Sequence, residues 1–202
     1  MGGSTADRET PTLVMTTSQI SANALLDAAL GAISSGDGFN DVIDALPVPI
    51  YLTDADGAVT YWNQACIDFA GREPRLGQDR WCVTWKLYST SGVYLPHDQC
   101  PMADAIRERR SVRGKVAIAM RPDGSRRAFT PYPTPLFDDA GNLTGAVNML
   151  VDVTDEQAEV LADQARRCRR LAGFTHDRQA SEVLDHMADD YEQAAASLQP
   201  SH

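Results

Sequence analysis

The stretch that decides the fold is residues 125–155, SRRAFTPYPTPLFDDAGNLTGAVNMLVDVTD. Asp138-Asp139-Ala140-Gly141 reads as a turn, because Asp side chains can hold nearby backbone and glycine is free to take positive φ; it separates two β-rich runs, 125–137 and 143–153. In the first run Pro131, Pro133 and Pro135 recur at period two. Their missing N–H groups then lie on one edge of the strand, so only the other edge can keep a full ladder. Immediately upstream, Asp123-Gly124 is a second turn signal, with a strand candidate at 114–122 before it. A two-residue turn there exhausts this partner near residue 132 and leaves the proline half to pair with 143–153. The three runs read as an antiparallel meander.

Further upstream, Val48-Pro49-Ile50-Tyr51-Leu52-Thr53 and Ala58-Val59-Thr60-Tyr61-Trp62 flank Asp54-Ala55-Asp56-Gly57, which predicts a hairpin. Asn63 is placed to cap a short helix over 64–70 that closes at Gly71. The segment 72–98 is aromatic, with Trp81, Trp85, Tyr88 and Tyr94, and has no clear period. Pro101 suits the first position of a helix over 101–110, with Asp98 or Cys100 as its cap.

Towards the ends, the pattern predicts a tail at 1–17, an amphipathic helix within 18–38, a central domain at 39–155 and a helical hairpin at 156–198. Ile20, Ala24, Leu25, Ala28 and Ile33 mark the first helix, which Gly36-Asp37-Gly38 stops; a short turn with Phe39, Val42, Ile43 and Leu46 follows. Val160, Leu161, Cys168, Leu171 and Ala172 share a face of the next long helix, with Gly173 as its stop, and Val183, Leu184, Met187, Tyr191 and Leu198 share a face of the last. Arg166, Arg167, Arg169 and Arg170 complement Glu182, Asp185, Asp189, Asp190 and Glu192, which suits either an antiparallel hairpin within the chain or a homodimer of helices.

Two strands, short helices, one longer helix and a meander feeding a helix make an order that resembles a PAS domain. The matching motifs are Leu52-Thr53-Asp54-Ala55-Asp56-Gly57, Trp62-Asn63-Gln64-Ala65, Asp138-Asp139-Ala140-Gly141 and Asp152-Val153-Thr154-Asp155, spanning about 47–156. The resemblance implies an α+β fold: a PAS-like five-stranded antiparallel sheet with short helices on one face, flanked by N- and C-terminal helices. It also implies a pocket for a small-molecule ligand or a partner protein, a signalling partner such as a histidine kinase or regulator, and a signal relay through Asp152, Thr154 and Asp155. There Thr154 or Asp155 would cap the outgoing helix. No Gly-x-Asn-Cys-Arg-Phe motif is present, which argues against flavin, and no kinase, cyclase or response-regulator sequence is recognised. Output is therefore expected in the terminal helices or a partner.

A formal charge of −10 opposes binding to a nucleic-acid backbone, which requires concentrated Lys and Arg. The apolar runs are too short to span a bilayer, and MGGSTADRETPT lacks the basic-then-apolar order of a secretion signal, so a cytoplasmic protein is expected. Cys66, Cys82, Cys100 and Cys168 form no C-x-x-C pair, which suits reduced thiols.

The most chemically varied segment is 81–102. In one reading Trp81, Trp85 and Leu87 fill the core, while His97 and Asp98 satisfy backbone groups before the Pro101 helix. In a second, haem is the cofactor, bound through His97 as an axial imidazole to the metal or through Cys100 as thiolate. In a third, a small organic ligand lies among Trp81, Trp85, Met120, Asn148 and Leu150, the last two sharing a strand face. Thiol catalysis by Cys100 with His97 lacks a third, orienting group, so a non-enzymatic role is expected.

Overall fold

The computed structural model describes residues 17–35 and 39–198. The expected tail at 1–17 lies outside these except for Thr17, and so does Gly36-Asp37-Gly38. In chain order the elements are α1 (Thr17–Ser35), α2 (Phe39–Asp44), β1 (Ile50–Asp54), β2 (Val59–Trp62), α3 (Gln64–Ala70), β3 (Lys86–Tyr88) and β4 (Tyr94–Leu95). A 3-10 turn (His97–Gln99) then leads into α4 (Pro101–Glu108), β5 (Ala117–Met120), β6 (Arg126–Pro131), β7 (Thr134–Phe137), β8 (Leu143–Asp152), α5 (Thr154–Phe174) and α6 (Arg178–Leu198).

The eight strands form one sheet in the order β2-β1-β8-β6-β5-β3-β4, with β7 also paired to β8. Its centre is the expected antiparallel sheet; two differences enlarge it. The proline run does not form one strand but β6 and β7, parted at Tyr132-Pro133, because alternate N–H groups are missing there. The aromatic segment, which has no clear period in the sequence, supplies the small β3–β4 hairpin, which pairs with the free edge of β5. As the proline spacing requires, pairing of β6 with β5 stops at Phe129, and Thr134–Phe137 pairs with β8. The Asp123-Gly124 turn is one residue longer than expected: Arg121 N–H donates to Ser125 O at 2.9 Å across Pro122, Asp123 and Gly124.

Alternation along β8 builds two cores. Ala146 and Leu150 face α3 and α4, together with Tyr51, Leu87, Met102, Ala103 and Phe129. Val147 and Met149 face the opposite way, against Ile50, Ile43 and the α1 side chains Ala22, Leu26 and Ala29. Ala24 and Ala28, expected on the buried stripe of α1, are exposed. The same outer face of the sheet, at Ile118 and Ala128, is covered by Leu161, Ala195 and Leu198 of the α5–α6 hairpin. That hairpin docks within the chain, and Arg169 Nη2 reaches Asp189 at 2.6 Å and Glu192 at 3.3 Å across it. Gly173 does not stop α5; the helix runs one residue further, and Thr175 N–H closes it on Leu171 O.

Candidate functional site

A buried polar cluster sits in the inner core, built on a cross-strand pair. Tyr51 on β1 and Asn148 on β8 are register partners on the inner face, so their side chains meet. Asn148 Nδ2 donates to Tyr51 Oη at 2.9 Å, and the phenol in turn donates to the Trp81 carbonyl at 2.9 Å. Asn148 Oδ1 accepts the Tyr132 N–H at 3.0 Å, satisfying backbone just where β6 gives way to β7. Cys100 Sγ also donates to the Trp81 carbonyl, at 3.8 Å, and Cys82 Sγ lies 3.2 Å from Thr84 Oγ1.

The Trp81 carbonyl reaches this cluster because its backbone is inverted. Trp81 has φ +67, unusual for a bulky residue, and Cys82 N–H donates to Arg80 O at 2.8 Å to close a tight turn around it. Trp81 N–H donates to Gly57 O at 2.7 Å, which ties the turn to the first hairpin. The indole covers Gly57 so closely that a Cβ there would stand 2.2 Å from Trp81 Cε3. Such a conformation costs on the order of 1–3 kcal/mol and persists where surrounding contacts hold it.

The cluster is uncharged at neutral pH. Burial holds the Tyr51 phenol well above its ordinary range and pushes the Cys100 thiol up to about 12. Burial likewise raises the Cys82 and Cys66 thiols. Cys100 therefore has little thiolate for iron ligation or nucleophilic attack at pH 7. The site offers neutral donors and acceptors in an apolar surround, and its inner space is occupied by Tyr51, Leu87, Met102 and Leu150, each almost wholly buried.

The remaining expected site residues divide. Trp81, Cys100, Asn148 and Leu150 come together around Tyr51. Trp85 does not: it is 40% exposed, precedes the regular alternation of β3, and lies under the Lys86 ammonium, which is 4.3 Å from its ring centroid. Met120 does not either, because it alternates with Ala119 and pairs with Lys86, which places it on the outer face. His97 stands in the 3-10 turn, half-buried, with a buried Nε2 that has no hydrogen-bond partner among the described residues. Desolvation, reinforced by the Arg72 guanidinium, lowers its pKa, so the imidazole is neutral at pH 7. Among the described residues no group of three or more His, Cys, Asp or Glu is arranged to hold a metal ion.

The exit from the sheet is built differently from the expected cap. Val153, not Thr154, occupies the cap position of α5, and neither Thr154 nor Asp155 provides a side-chain cap. The Thr154 hydroxyl instead accepts the Ala128 N–H of β6 at 3.1 Å and donates to Asp152, while Asp152 Oδ2 accepts from Arg127 Nη1 at 2.8 Å. Val153 N–H donates to Ala128 O at 2.9 Å. Thus Asp152 and Thr154 lock the first turn of α5 to β6, and Asp155 is left exposed.

Two organising residues carried no expectation of these roles. Tyr51 read as one member of a β-rich run. Asn63 read as a helix cap, and it does occupy the N-cap position of α3, its carbonyl accepting the Cys66 N–H at 2.9 Å, but its side chain makes no cap hydrogen bond. Wholly buried, it accepts the Ile50 N–H at 3.0 Å and donates to Ile43 O at 3.1 Å and Val48 O at 2.9 Å, stapling α2 to β1.

A family model described as PAS fold matches residues 43–158, more than half of the chain. Against curated protein sequences the chain has no match. Among solved structures, it is similar to the RsLOV d2 variant at 12% identity and TM-score 0.46, over 93% of this chain and 100% of the other. It is similar to the LOV domain of a blue-light activated histidine kinase from Erythrobacter litoralis at 23% identity and TM-score 0.42, over 54% and 97% of the two chains. A PAS domain from the fruit-fly ELK potassium channel is similar at 11% identity and TM-score 0.44, over 61% and 96%.

Proposed function

This chain belongs to the PAS fold family, and on that premise we propose that it is a sensory signalling module whose inner polar cluster is read out by the α5–α6 hairpin. The observation that carries this reading is the Thr154 hydroxyl, which joins β6 to the start of α5 through Ala128 and Asp152. Strands β5 and β6 line the cluster's core on one face and seat the hairpin on the other. A shift of these strands, caused by an occupant or a partner at the inner face, is then felt by the helices. A partner signalling protein, such as a histidine kinase or regulator, would read the hairpin, and the module itself would perform no catalysis.

Absorbance and native mass of the untreated full-length protein identify any occupant. Hydrogen exchange on the full chain tests the relay: Tyr51→Phe should speed exchange in 126–131 and at the start of α5 while leaving α1 unchanged. Unaltered exchange in both segments overturns the relay.

One observation favours a second reading, haem ligation through His97: its Nε2 is buried and has no hydrogen-bond partner among the described residues. Added haemin should then give a Soret shift lost in His97→Ala. A spectrum identical to free haemin ends that reading.

A further inference from the structure

Where the α5–α6 hairpin meets the sheet, it leaves a cavity of about 370 Å³ on the face opposite the Tyr51 cluster. Its walls are apolar and come from both sides, Tyr88 and Ile118 from the sheet, Leu161, Met187 and Tyr191 from the helices. The cavity opens into a wider polar groove, and Arg126 and Asp190 line both. A volume of this order, apolar with a few polar groups at its rim, suits a small ligand.

Charge decides which ligand. The groove carries five carboxylates, Asp155, Glu156 and Asp190 among them, against three arginines. Two of those arginines are engaged: Arg127 pairs with Asp152, and Arg121 donates to the Asp68 and Phe69 carbonyls. Asp190 has no ion-pair partner among the described residues, and it sits one position before Tyr191, whose ring lines the cavity. The third arginine, Arg126, is directed at the Tyr88 ring, its guanidinium 5.1 Å from the centroid, and makes no ion pair with Asp190 among the described residues. We propose that this cavity is a second ligand site, taking a small amphipathic cation: an arylalkyl ammonium, with its ring between Ile118, Leu161 and Met187 and its nitrogen at Asp190. Because both the sheet and the hairpin form its walls, such a ligand bears directly on how the hairpin is seated. The site does not depend on any occupant of the inner core.

Calorimetric titration of the full chain with 2-phenylethylammonium, 2-phenylethanol and 3-phenylpropanoate tests this. The ammonium should bind about tenfold more tightly than the alcohol, a difference of roughly 1.4 kcal/mol, and the carboxylate more weakly than either. Asp190→Asn, an exposed change, should remove the preference for the ammonium while the alcohol still binds, and Met187→Trp should fill the cavity and abolish both. Equal affinity for all three probes, no heat from the ammonium at about 10 mM, where a fragment-sized ligand in a true site is detectable, or undiminished binding in Met187→Trp each overturns the proposal. None of these outcomes bears on the Thr154 relay, which hydrogen exchange reads separately.

Discussion

The Tyr51 hydroxyl donates to the Trp81 carbonyl at 2.9 Å, joining residues thirty positions apart across the inner core. That bond rewards the positive φ of Trp81, since it is the inverted backbone that turns the carbonyl inward. Tyr51→Phe leaves the Asn148 amide and part of the carbonyl's capacity unpaired, at a cost of about 1–3 kcal/mol. Urea unfolding measures it; a midpoint unchanged from wild type contradicts the assignment.

Gly57 is constrained twice, by φ +84 and by the indole of Trp81 lying where a Cβ would project. Gly57→Ala should therefore cost more than an ordinary turn glycine, about 2–4 kcal/mol from combined left-handed backbone and overpacking. In a Trp81→Gly background the steric part disappears and the added cost should fall to about 1 kcal/mol. A double-mutant cycle of thermal unfolding checks this, and strict additivity would show that the indole is not the obstacle.

At the sheet exit, Thr154→Val keeps the shape and strands the buried Ala128 N–H. The expected loss is about 1–2 kcal/mol, with faster amide exchange confined to β6 and the first turns of α5. Thr154→Ser retains the hydroxyl and should restore protection. If valine and serine behave alike, the hydroxyl is not the link.

His97 gives a pH signature. Its folded pKa is lowered from 6.5 by burial and by Arg72, so below about pH 6.5 the unfolded chain takes up a proton that the folded chain refuses. Stability should fall as pH drops through that value, until the folded pKa is reached, and be fully present above it. Chemical denaturation at pH 7.5 and 5.5 should show a smaller loss in His97→Gln than in wild type; equal losses place the responsible group elsewhere.

Much of the sheet was legible because its signals are local. Asp54 to Gly57 and Asp138 to Gly141 form their turns with internal hydrogen bonds, Asp54 Oδ1 accepting from Ala58 N–H at 2.8 Å and Asp138 Oδ1 from Asn142 N–H at 2.7 Å. The prolines at 131, 133 and 135 declare which edge is bare wherever the strand lies. Face assignment was harder where both faces are apolar. Ala117-Ile118-Ala119-Met120 has no polar alternation, so Met120 could be placed on the inner face by type and is on the outer. In α1, alanines surround the helix, and the phase of its buried stripe is unreadable for the same reason.

By itself, the sequence determined the meander, the turns that join it, the family it resembles and the opposite charges of the last two helices, since each follows from neighbours or a short period. Only the tertiary structure decided that the Asn63 side chain, at the N-cap position of α3, staples α2 to β1 instead of bonding the helix, that Trp81 points its carbonyl at Tyr51, and that the hairpin covers its own sheet. Each of these depends on which distant group supplies the missing hydrogen bond or apolar surface. Burial makes that choice, because a polar group removed from water must be satisfied by whatever the fold brings beside it.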